Sequence, residues 1–411
     1  MPYIGISGII IFAIISFAIY EVIIIVHTID IGLLFYSRDE AIELMRLFRF
    51  SRPSMKKFDI KGFARKDMGR IRKGIKYFQM TKCLDKANQC IGYSFIIRME
   101  PWLLITQKES INLFECSAEN IARLTDLFRE FMAPYVHDTD YAYLVEFGEW
   151  NCRRIDYTHN LHFANKRDAE TFYRLSKRTS LHQRTKVKRR KDEQMFAQST
   201  AEGNRSSKSI FYDKRAQIEE DYAGMDENDL DDLMESAENV IRYEIQCYKG
   251  KVSSIKRKYN IQTRSIVWFL NEDIANALLF KQYEASIGYG DFYELYRAKS
   301  RIMHYEGTLG KGQRITQDKK EKLVQFMQLV ADARGLDKAR KCFQEGRVIK
   351  NTKERILVKG SDNTFRSRIK DLAVLGINPV AIPRRNSKRN ADGEVKVYDY
   401  PKYLENPIHS W

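Results

Sequence analysis

Short runs of apolar residues along this chain have the composition and spacing of strands. The clearest are residues 93–99 (YSFIIRM), 102–106 (WLLIT), 152–163 (CRRIDYTHNLHF), 209–214 (SIFYDK) and 240–248 (VIRYEIQCY). All five are rich in aromatic and β-branched side chains, which favour a pleated, half-buried surface. We therefore predict a strand at each of them.

Two stretches instead have the three-to-four residue spacing of amphipathic helices. In residues 117–134, Ser117 is a suitable N-cap and Pro134 is a stop signal. Residues 165–177 form a second candidate, with Asn165 as the cap. The order strand, helix, strand predicts an α/β or α+β core.

The spacing changes to helical periods beyond about residue 250, as in 321–335 (EKLVQFMQLVADARG). A chain of 411 residues is long enough for two domains. We predict a first domain over residues 27–255 and a mainly helical region over residues 256–411.

The N-terminus carries an uncharged apolar run over residues 3–20 (YIGISGIIIFAIISFAIY). Its length is close to the roughly 20 residues that span a bilayer. Three interpretations remain open for residues 1–26: a membrane anchor with the basic body in the cytoplasm, a buried helix or strand, or an extension upstream of the true start.

Charge narrows the class of partner without choosing one. The formal net charge is +16, which favours a polyanion such as nucleic acid or an anionic membrane face. The six cysteines form no C-x-x-C pair, so they are interpreted as reduced core residues and not as a zinc site.

The strand at 152–163 carries the first candidate for chemistry. Successive residues of a strand point to opposite faces. One face therefore carries the polar residues Arg154, Asp156, Thr158 and Asn160, and the other carries Ile155, Tyr157 and His159. An aspartate among apolar strand residues is costly to bury unless it is paired or bound to metal. The alternative is an edge-strand Asp that faces water.

The strand predicted at 209–214 places Tyr212 two residues before Lys214, so both are expected to point the same way. A tyrosine hydroxyl beside a lysine is a reasonable nucleophile for a phosphodiester, because the lysine can favour the phenolate or hold the non-bridging oxygens. The chain has 23 tyrosines, so an ordinary strand tyrosine is the strong alternative for any one of them.

The third motif is the strand at 240–248, in which Arg242, Glu244 and Gln246 share one face. It again presents a single carboxylate on the polar side of a strand. A solvent-facing Glu–Arg pair is the alternative.

Together, in this order, the motifs resemble the filamentous-phage gene II/X family of phage and plasmid replication proteins. The matching segments are HTIDIGLLF (27–35), the strand with Arg154, Ile155 and Asp156, the pair Tyr212 and Lys214, the strand with Arg242, Tyr243 and Glu244, and RSRIKDLAVLGI (366–377). The resemblance covers roughly residues 27–385. It implies a rolling-circle-nuclease-like α+β fold: a central antiparallel sheet with flanking helices, followed by a mainly helical C-terminal region.

The resemblance also implies an activity. Such proteins cut one strand of a double-stranded origin, leave a free 3′-OH for the host polymerase and helicase, and later rejoin the displaced strand. It makes Tyr212 the nucleophile that joins the 5′-phosphate, Lys214 a phosphate contact, and Asp156 and Glu244 ligands of Mg²⁺ or Mn²⁺. Many rolling-circle nucleases have a His-hydrophobic-His motif; HNLH (159–162) has the wrong spacing, so His159 is kept only as a possible third ligand.

DNA contacts are expected from several basic positions. Arg154 and Arg242 accompany the carboxylates, and the basic run 177–191 adds Lys186, Lys188, Arg189 and Arg190. In a C-terminal helix, Arg366, Arg368 and Lys370 would face outward with Ile369, Leu372 and Leu375 inward, as in a recognition helix. A solvated loop and a plain bundle helix are the alternatives.

Three functions are therefore weighed. The leading one is a cytoplasmic rolling-circle initiator that nicks and rejoins DNA. The others are a DNA-binding regulator without catalysis, and a membrane-attached scaffold that uses residues 3–20.

Overall fold

A computed structural model describes residues 25–69, 71–180, 199–221, 227–309, 312–350, 355–384, 386–389, 395–398 and 400–411. The apolar run at 3–20 lies outside these residues. So do four of the predicted DNA contacts: Lys186, Lys188, Arg189 and Arg190. Among the described residues, no helix is both long and apolar enough to cross a membrane.

The centre of the fold is a nine-stranded antiparallel sheet. Its strands are β1 (Ile25–Phe35), β2 (Phe63–Asp67), β3 (Ile75–Leu84), β4 (Cys90–Met99), β5 (Phe114–Glu115), β6 (Asn151–His162), β7 (Ser199–Gly203), β8 (Ser207–Asp213) and β9 (Val240–Cys247). They are ordered β2-β3-β4-β1-β6-β9-β8-β7, and β5 pairs with β1. This sheet confirms the predicted α+β class with a central antiparallel sheet.

Helices flank the sheet and continue into the C-terminal region. They are α1 (Arg38–Leu47), α2 (Arg52–Lys61), α3 (Pro101–Thr106), α4 (Ala118–Val136), α5 (Lys166–Ser176), α6 (Lys214–Asp221), α7 (Glu227–Ser236), α8 (Lys249–Lys258), α9 (Glu272–Ser286), α10 (Leu295–His304), α11 (Gln317–Ala333), α12 (Leu336–Glu345) and α13 (Asp362–Val374). The predicted helical C-terminal region is confirmed. Short two-stranded antiparallel sheets accompany it: β10 (Phe292–Tyr293) with β17 (Tyr403–Leu404), β11 (Thr308–Leu309) with β12 (Gln313–Arg314), β13 (Arg347–Lys350) with β14 (Arg355–Val358), and β15 (Asn386–Arg389) with β16 (Val395–Tyr398).

One face of the sheet forms the main core. Phe78 of β3 and Phe95 of β4 are fully buried there, and both pack against Phe48 at the end of α1. On the same face, further along the sheet, Tyr243 of β9 packs edge-on against Tyr283 of α9 (ring centroids 5.7 Å). The C-terminal helices therefore share one core with the sheet, and the alternate strand positions are left for polar side chains.

Two local predictions were wrong. Residues 102–106 belong to the helix α3 and not to a strand, and Pro101 occupies the first turn of that helix. The run is apolar and mostly buried, and such a run has no periodicity that would distinguish a strand from a buried helix. Pro134 does not stop α4, which continues to Val136. The proline removes one backbone donor, but the last turn still forms, since the His137 amide donates to the carbonyl oxygen of Ala133 (3.0 Å).

Candidate functional site

The three sequence motifs lie on three strands of the sheet that are adjacent in the order β6-β9-β8. In the antiparallel register, Thr158 is opposite Glu244, and Arg242 is opposite Tyr212. Asp156 is opposite Gln246 in the same pairing. Since alternate residues share a face, the polar members of all three motifs are brought to one face, away from the main core.

Glu244 lies at the centre of this group. One carboxylate oxygen, Oε1, accepts a hydrogen bond from the Gln246 amide (2.6 Å). The other, Oε2, is 3.4 Å from the Tyr212 hydroxyl and 3.7 Å from Nδ1 of His27. The predicted nucleophile and one predicted carboxylate therefore meet.

His27 was missed in the sequence. The pairing of β1 with β6 shifts register between Val26 and Ile29, so simple alternation does not tell which face His27 occupies. Burial is the largest cause that lowers its pKa well below the ordinary value, and Arg242 and Lys214 add to it. His27 is thus a neutral imidazole beside Glu244.

Asp156 is almost completely buried and is held by its neighbour on the same face. Arg154 donates two hydrogen bonds to it, from Nε to Oδ1 (2.8 Å) and from Nη2 to Oδ2 (2.6 Å). Burial nevertheless raises the pKa of Asp156 to about 7; Arg154 opposes this shift and the charge of Glu244 adds to it. The charge of Asp156 on this buried face is therefore offset by Arg154 and opposed by Glu244.

Tyr212 is 5% exposed, and its hydroxyl is protonated in this form of the protein. Burial is the largest cause that raises its pKa far above the ordinary value, followed by the charge of Glu244, while Arg242 opposes the shift. The Tyr212 phenol is therefore held in its neutral form beside Glu244.

Lys214 is the first residue of α6 and not part of a strand. The expectation that it points the same way as Tyr212 along one strand is wrong, because β8 ends at Asp213. Its ammonium donates to Gln217 (2.8 Å), and burial lowers its pKa well below the usual range. Together with His27 it lines a polar cavity of about 80 Å³, whose wall also includes Lys76 and Glu100.

His159 lies on the opposite face of β6 from Asp156, as alternation requires. Its ring packs against that of Trp411, with centroids 4.8 Å apart. Burial lowers its pKa to about 4, with a smaller contribution from His162. The structure therefore does not bring His159 together with Asp156 and Glu244.

The two arginines predicted as DNA contacts are both engaged within the protein. Arg154 holds Asp156, as described above. Arg242 is 1% exposed; it donates to the side chain of Asn160 (2.9 Å) and to the carbonyl oxygen of Ile111 (2.6 Å). Through its hydrogen bond to Ile111, Arg242 holds the loop of residues 107–113 against the polar face of the sheet.

That loop and two helices form a cover over the site. Ile111 of the loop packs with Ile218 of α6 and Leu233 of α7 in a small hydrophobic cluster that is separate from the main core and also includes Ala237 and Val240. The candidate groups Asp156, Tyr212, Lys214, Arg242 and Glu244 are each 5% exposed or less beneath it. The site is closed in this form.

Within the described part of the chain, no three His, Cys, Asp or Glu side chains are grouped closely enough to hold a metal by themselves. The two predicted ligands on the polar face are Asp156 and Glu244, and a third carboxylate on that face, Asp30, is paired with Arg98. Mg²⁺ is commonly held by only one or two carboxylates, with water and substrate phosphate as the other ligands. Asp156 and Glu244 fit that pattern.

The C-terminal basic residues have different surroundings. In α13, Arg366 pairs with Asp362 (2.9 Å) and Lys370 is exposed. Arg368, however, lies over the ring of Phe343 (4.8 Å) and is half-buried, so the prediction that it faces outward is wrong. Its long aliphatic stem covers the aromatic cluster, which explains the inward position.

Comparison with known proteins agrees with the motifs. Residues 112–266 match the family described as replication-associated protein G2P, N-terminal. The match spans β6, β8 and β9, and it confirms the resemblance to a filamentous-phage gene II replication protein. No match was found among curated proteins or among solved structures.

Proposed function

We propose that this chain, whose matched region belongs with phage replication proteins, initiates rolling-circle replication by cutting one strand of a duplex origin. The observation that carries the proposal is the 3.4 Å approach of the Tyr212 hydroxyl to Glu244 on neighbouring strands of the matched segment. A tyrosine beside a carboxylate, with Lys214 near by, supplies a nucleophile, a proton acceptor and a phosphate contact.

The reaction is a pair of phosphoryl transfers. The Tyr212 oxygen attacks the scissile phosphorus and passes its proton to Glu244, while the bond to the 3′-oxygen breaks and that oxygen takes up a proton. The products are a free 3′-OH and a 5′-phosphate ester of Tyr212. Attack by a 3′-OH on this ester reverses the step and returns the proton to the tyrosine, so rejoining needs no ATP.

Asp156 and Glu244 would hold Mg²⁺ or Mn²⁺ together with oxygens of the scissile phosphate. When bound, such an ion polarises the phosphate and offsets its charge. Both oxygens of Asp156 accept hydrogen bonds from Arg154 in the closed form, so the guanidinium would have to release one of them to the ion. His159 faces the other side of β6 and is left out of the proposed ligand set.

DNA reaches these groups only after the cover opens. Residues 107–113, α6 and α7 would have to move away, since the candidate groups are buried beneath them. Origin DNA is the proposed substrate in the cytoplasm of a bacterial host, whose helicase and polymerase would then use the free 3′-OH. Lys370 and the basic run with Lys186, Lys188, Arg189 and Arg190 are proposed to contact its phosphates.

The closed site also favours a second candidate, a DNA-binding regulator that does not cut. Such a regulator would bind the DNA of its own replicon tightly but would not nick it in the presence of Mg²⁺ or Mn²⁺. The membrane-attached alternative depends on residues 3–20, which lie outside the described part of the chain.

A nicking assay tests the proposal. Supercoiled plasmid that carries DNA from the chain's own replicon is mixed with the full chain and Mg²⁺ or Mn²⁺. We expect relaxed circles from the native chain and a loss of nicking of at least about 100-fold in Tyr212→Phe, with DNA binding retained. Normal nicking by Tyr212→Phe would overturn the assignment of the nucleophile, and binding without nicking by the native chain would favour the regulator.

A further inference from the structure

A second cavity lies on the helical side of the sheet, away from the candidate site. It has a volume of about 340 Å³ and is formed by the turn after α1, the loop between β2 and β3, and the C-terminal half of α4. Its volume is at the lower end of the range of roughly 300–1,000 Å³ that small-molecule sites occupy. The lining residues are Arg49, Ile71, Arg72, Glu130, Phe131, Pro134 and Tyr135.

The aromatic part of the lining is fixed by the main core. Tyr135 stacks on Phe48, with centroids 5.0 Å apart and an interplanar angle of 15°. Phe131 packs against Tyr135 (5.8 Å) and against Phe78 of β3 (5.9 Å). Phe78 lies on the core face of the sheet, and the candidate catalytic groups lie on the other face. The cavity is therefore separated from the candidate site by the sheet, and its aromatic wall is in place before a ligand binds.

Two arginines contribute the positive charge of the lining. Arg49 is exposed and Arg72 is half-buried. Within the described part of the chain, neither guanidinium takes part in an ion pair or a side-chain hydrogen bond, and Nε of Arg72 is buried without an acceptor. Buried donors are nearly always paired, so these groups are available to an acceptor from outside the chain.

The charges around the arginines favour an anion. Burial raises the pKa of Tyr135, and Arg49 opposes that rise, so the guanidinium lies near the phenol. Burial lowers the pKa of Lys66, and Arg49 adds to this effect. Of the lining residues, only Glu130 carries a carboxylate, against two guanidinium groups. A bound anion would therefore relieve the repulsion among these cations.

We propose that this cavity binds a free nucleoside monophosphate. The planar forks of Arg49 and Arg72 suit phosphate oxygens, to which an arginine can donate two hydrogen bonds. The base would lie against the apolar surface of Ile71 and Phe131, and the Glu130 carboxylate would accept from its amino group or from a sugar hydroxyl. Each part of the lining thus has a partner in the ligand. The inference does not rest on the proposed function.

Other anions match fewer parts of the cavity. Inorganic phosphate would leave the apolar wall uncovered, including Ile71, which is 61% exposed. An acidic peptide would bring further carboxylates toward Glu130, which is exposed and forms no ion pair with the described residues. A DNA strand would have to place its neighbouring nucleotides outside a cavity that has room for one.

The test is isothermal titration calorimetry of the full chain with dAMP in EDTA. We expect a dissociation constant on the order of 100 µM for dAMP, at least about 10-fold weaker binding of inorganic phosphate, and no detectable binding of deoxyadenosine. Arg72→Ala should weaken the binding of dAMP by about 10- to 100-fold, because charge-assisted hydrogen bonds to the phosphate are lost. Arg46→Ala is the matched control, since Arg46 is an exposed arginine of α1 outside the lining and should bind dAMP as the native chain does.

Ile71→Ala tests the apolar part of the lining separately. Its side chain is mostly exposed, so the substitution leaves the fold intact. It should weaken the binding of dAMP by about 2- to 10-fold, because less apolar surface is covered, and leave the binding of inorganic phosphate unchanged. Arg49→Ala, also at an exposed side chain, replaces Arg72→Ala if circular dichroism shows that the latter does not fold.

Equal affinities of Arg72→Ala and Arg46→Ala for dAMP would overturn the inference, because the nucleotide would then bind elsewhere. Inorganic phosphate that binds as tightly as dAMP would reduce the cavity to an adventitious anion site. Binding of a 20-nucleotide oligodeoxyadenosine that depends on Arg72, without binding of dAMP, would assign the cavity to a DNA strand. An aspartate-rich peptide that binds more tightly than dAMP and depends on Arg72 would assign it to a protein partner.

Discussion

At the scale of single residues, burial controls the ionisation of the candidate site. It raises the pKa of the Tyr212 phenol and the Asp156 carboxyl, and it lowers the pKa of the Lys214 ammonium. Each of these groups is thereby biased toward its neutral form beneath the cover. Opening of the cover, or the binding of a phosphate and a cation, would favour the charged forms of these groups. Their ionisation would then depend on whether substrate has reached the site.

His159 gives a prediction about pH. Its pKa is about 4 in the folded protein because of burial, against about 6.5 when unfolded. The unfolded chain therefore takes up a proton first as the pH falls, and stability is lost between about pH 6.5 and pH 4. Relative to His159→Phe, the native chain should lose up to about 2 kcal/mol of unfolding free energy between pH 7 and pH 5. Urea denaturation at the two pH values measures this difference.

A matched control is His137→Asn, since His137 is exposed at the end of α4. It should keep the acid sensitivity of the native chain. If His159→Phe shows the same loss of stability between pH 7 and pH 5 as the native chain, the contact with Trp411 does not hold the imidazole in its neutral form.

Alternation along strands predicted most of the site at this scale. Asp156, Glu244 and Arg242 share the polar face, and His159 lies on the other, because period-two geometry is a local property of a strand. His27 and Lys214 were not placed correctly, since a register shift in β1 and the end of β8 interrupt that period. The position of Arg242 beneath Ile111 depends on a contact between residues 131 positions apart, which no local pattern contains.

At the scale of elements, the cover is held by few contacts compared with the sheet. Its hydrophobic cluster contains five buried residues from the loop 107–113, α6, α7 and the start of β9, apart from the main core. Segments of this kind open locally at lower free energy than the whole molecule. The cover is therefore the element expected to move when DNA binds.

Leu233→Ala should loosen the cover without unfolding the sheet. Leu233 is 6% exposed in the small cluster, and truncation of a buried leucine costs about 2–5 kcal/mol. We expect amide exchange in α6 and α7 to accelerate by at least about 10-fold, with little change in β6 and β9. Hydrogen–deuterium exchange mass spectrometry measures both.

Glu235→Ala is the control on the same helix, because Glu235 is exposed. It should leave exchange unchanged. Equal acceleration throughout the sheet in Leu233→Ala would mean that the cover and the sheet unfold as one unit.

The strands with alternating residues and the helices with clear N-caps were predicted well, but the uniformly apolar run at 102–106 was not. Ser117 and Asn165 cap α4 and α5 as expected, because their side chains accept from backbone amides three residues later. The run at 102–106 is a helix because packing, and not periodicity, decides its conformation.

At the scale of the whole molecule, a chain of net charge +16 keeps its candidate catalytic groups closed beneath a cover that includes the acidic helix α7. In the sequence, residues 219–238 carry Asp and Glu but neither Lys nor Arg, and they include all of α7. Such a segment repels DNA from the closed site, whereas the basic surface elsewhere attracts it. Binding and cutting are therefore separable events in this account.

The most direct test of Tyr212 as the nucleophile is to detect the covalent bond between this tyrosine and a DNA phosphate. The full chain would be incubated with supercoiled replicon DNA and Mn²⁺, treated with nuclease and trypsin, and analysed by mass spectrometry. Trypsin cleaves after Lys208 and Lys214, and the peptide between them, SIFYDK, contains Tyr212 as its single tyrosine. The account predicts a nucleotide joined through phosphate to this peptide. Nicked DNA with the nucleotide on a different tyrosine, or with no adduct at all, would contradict it.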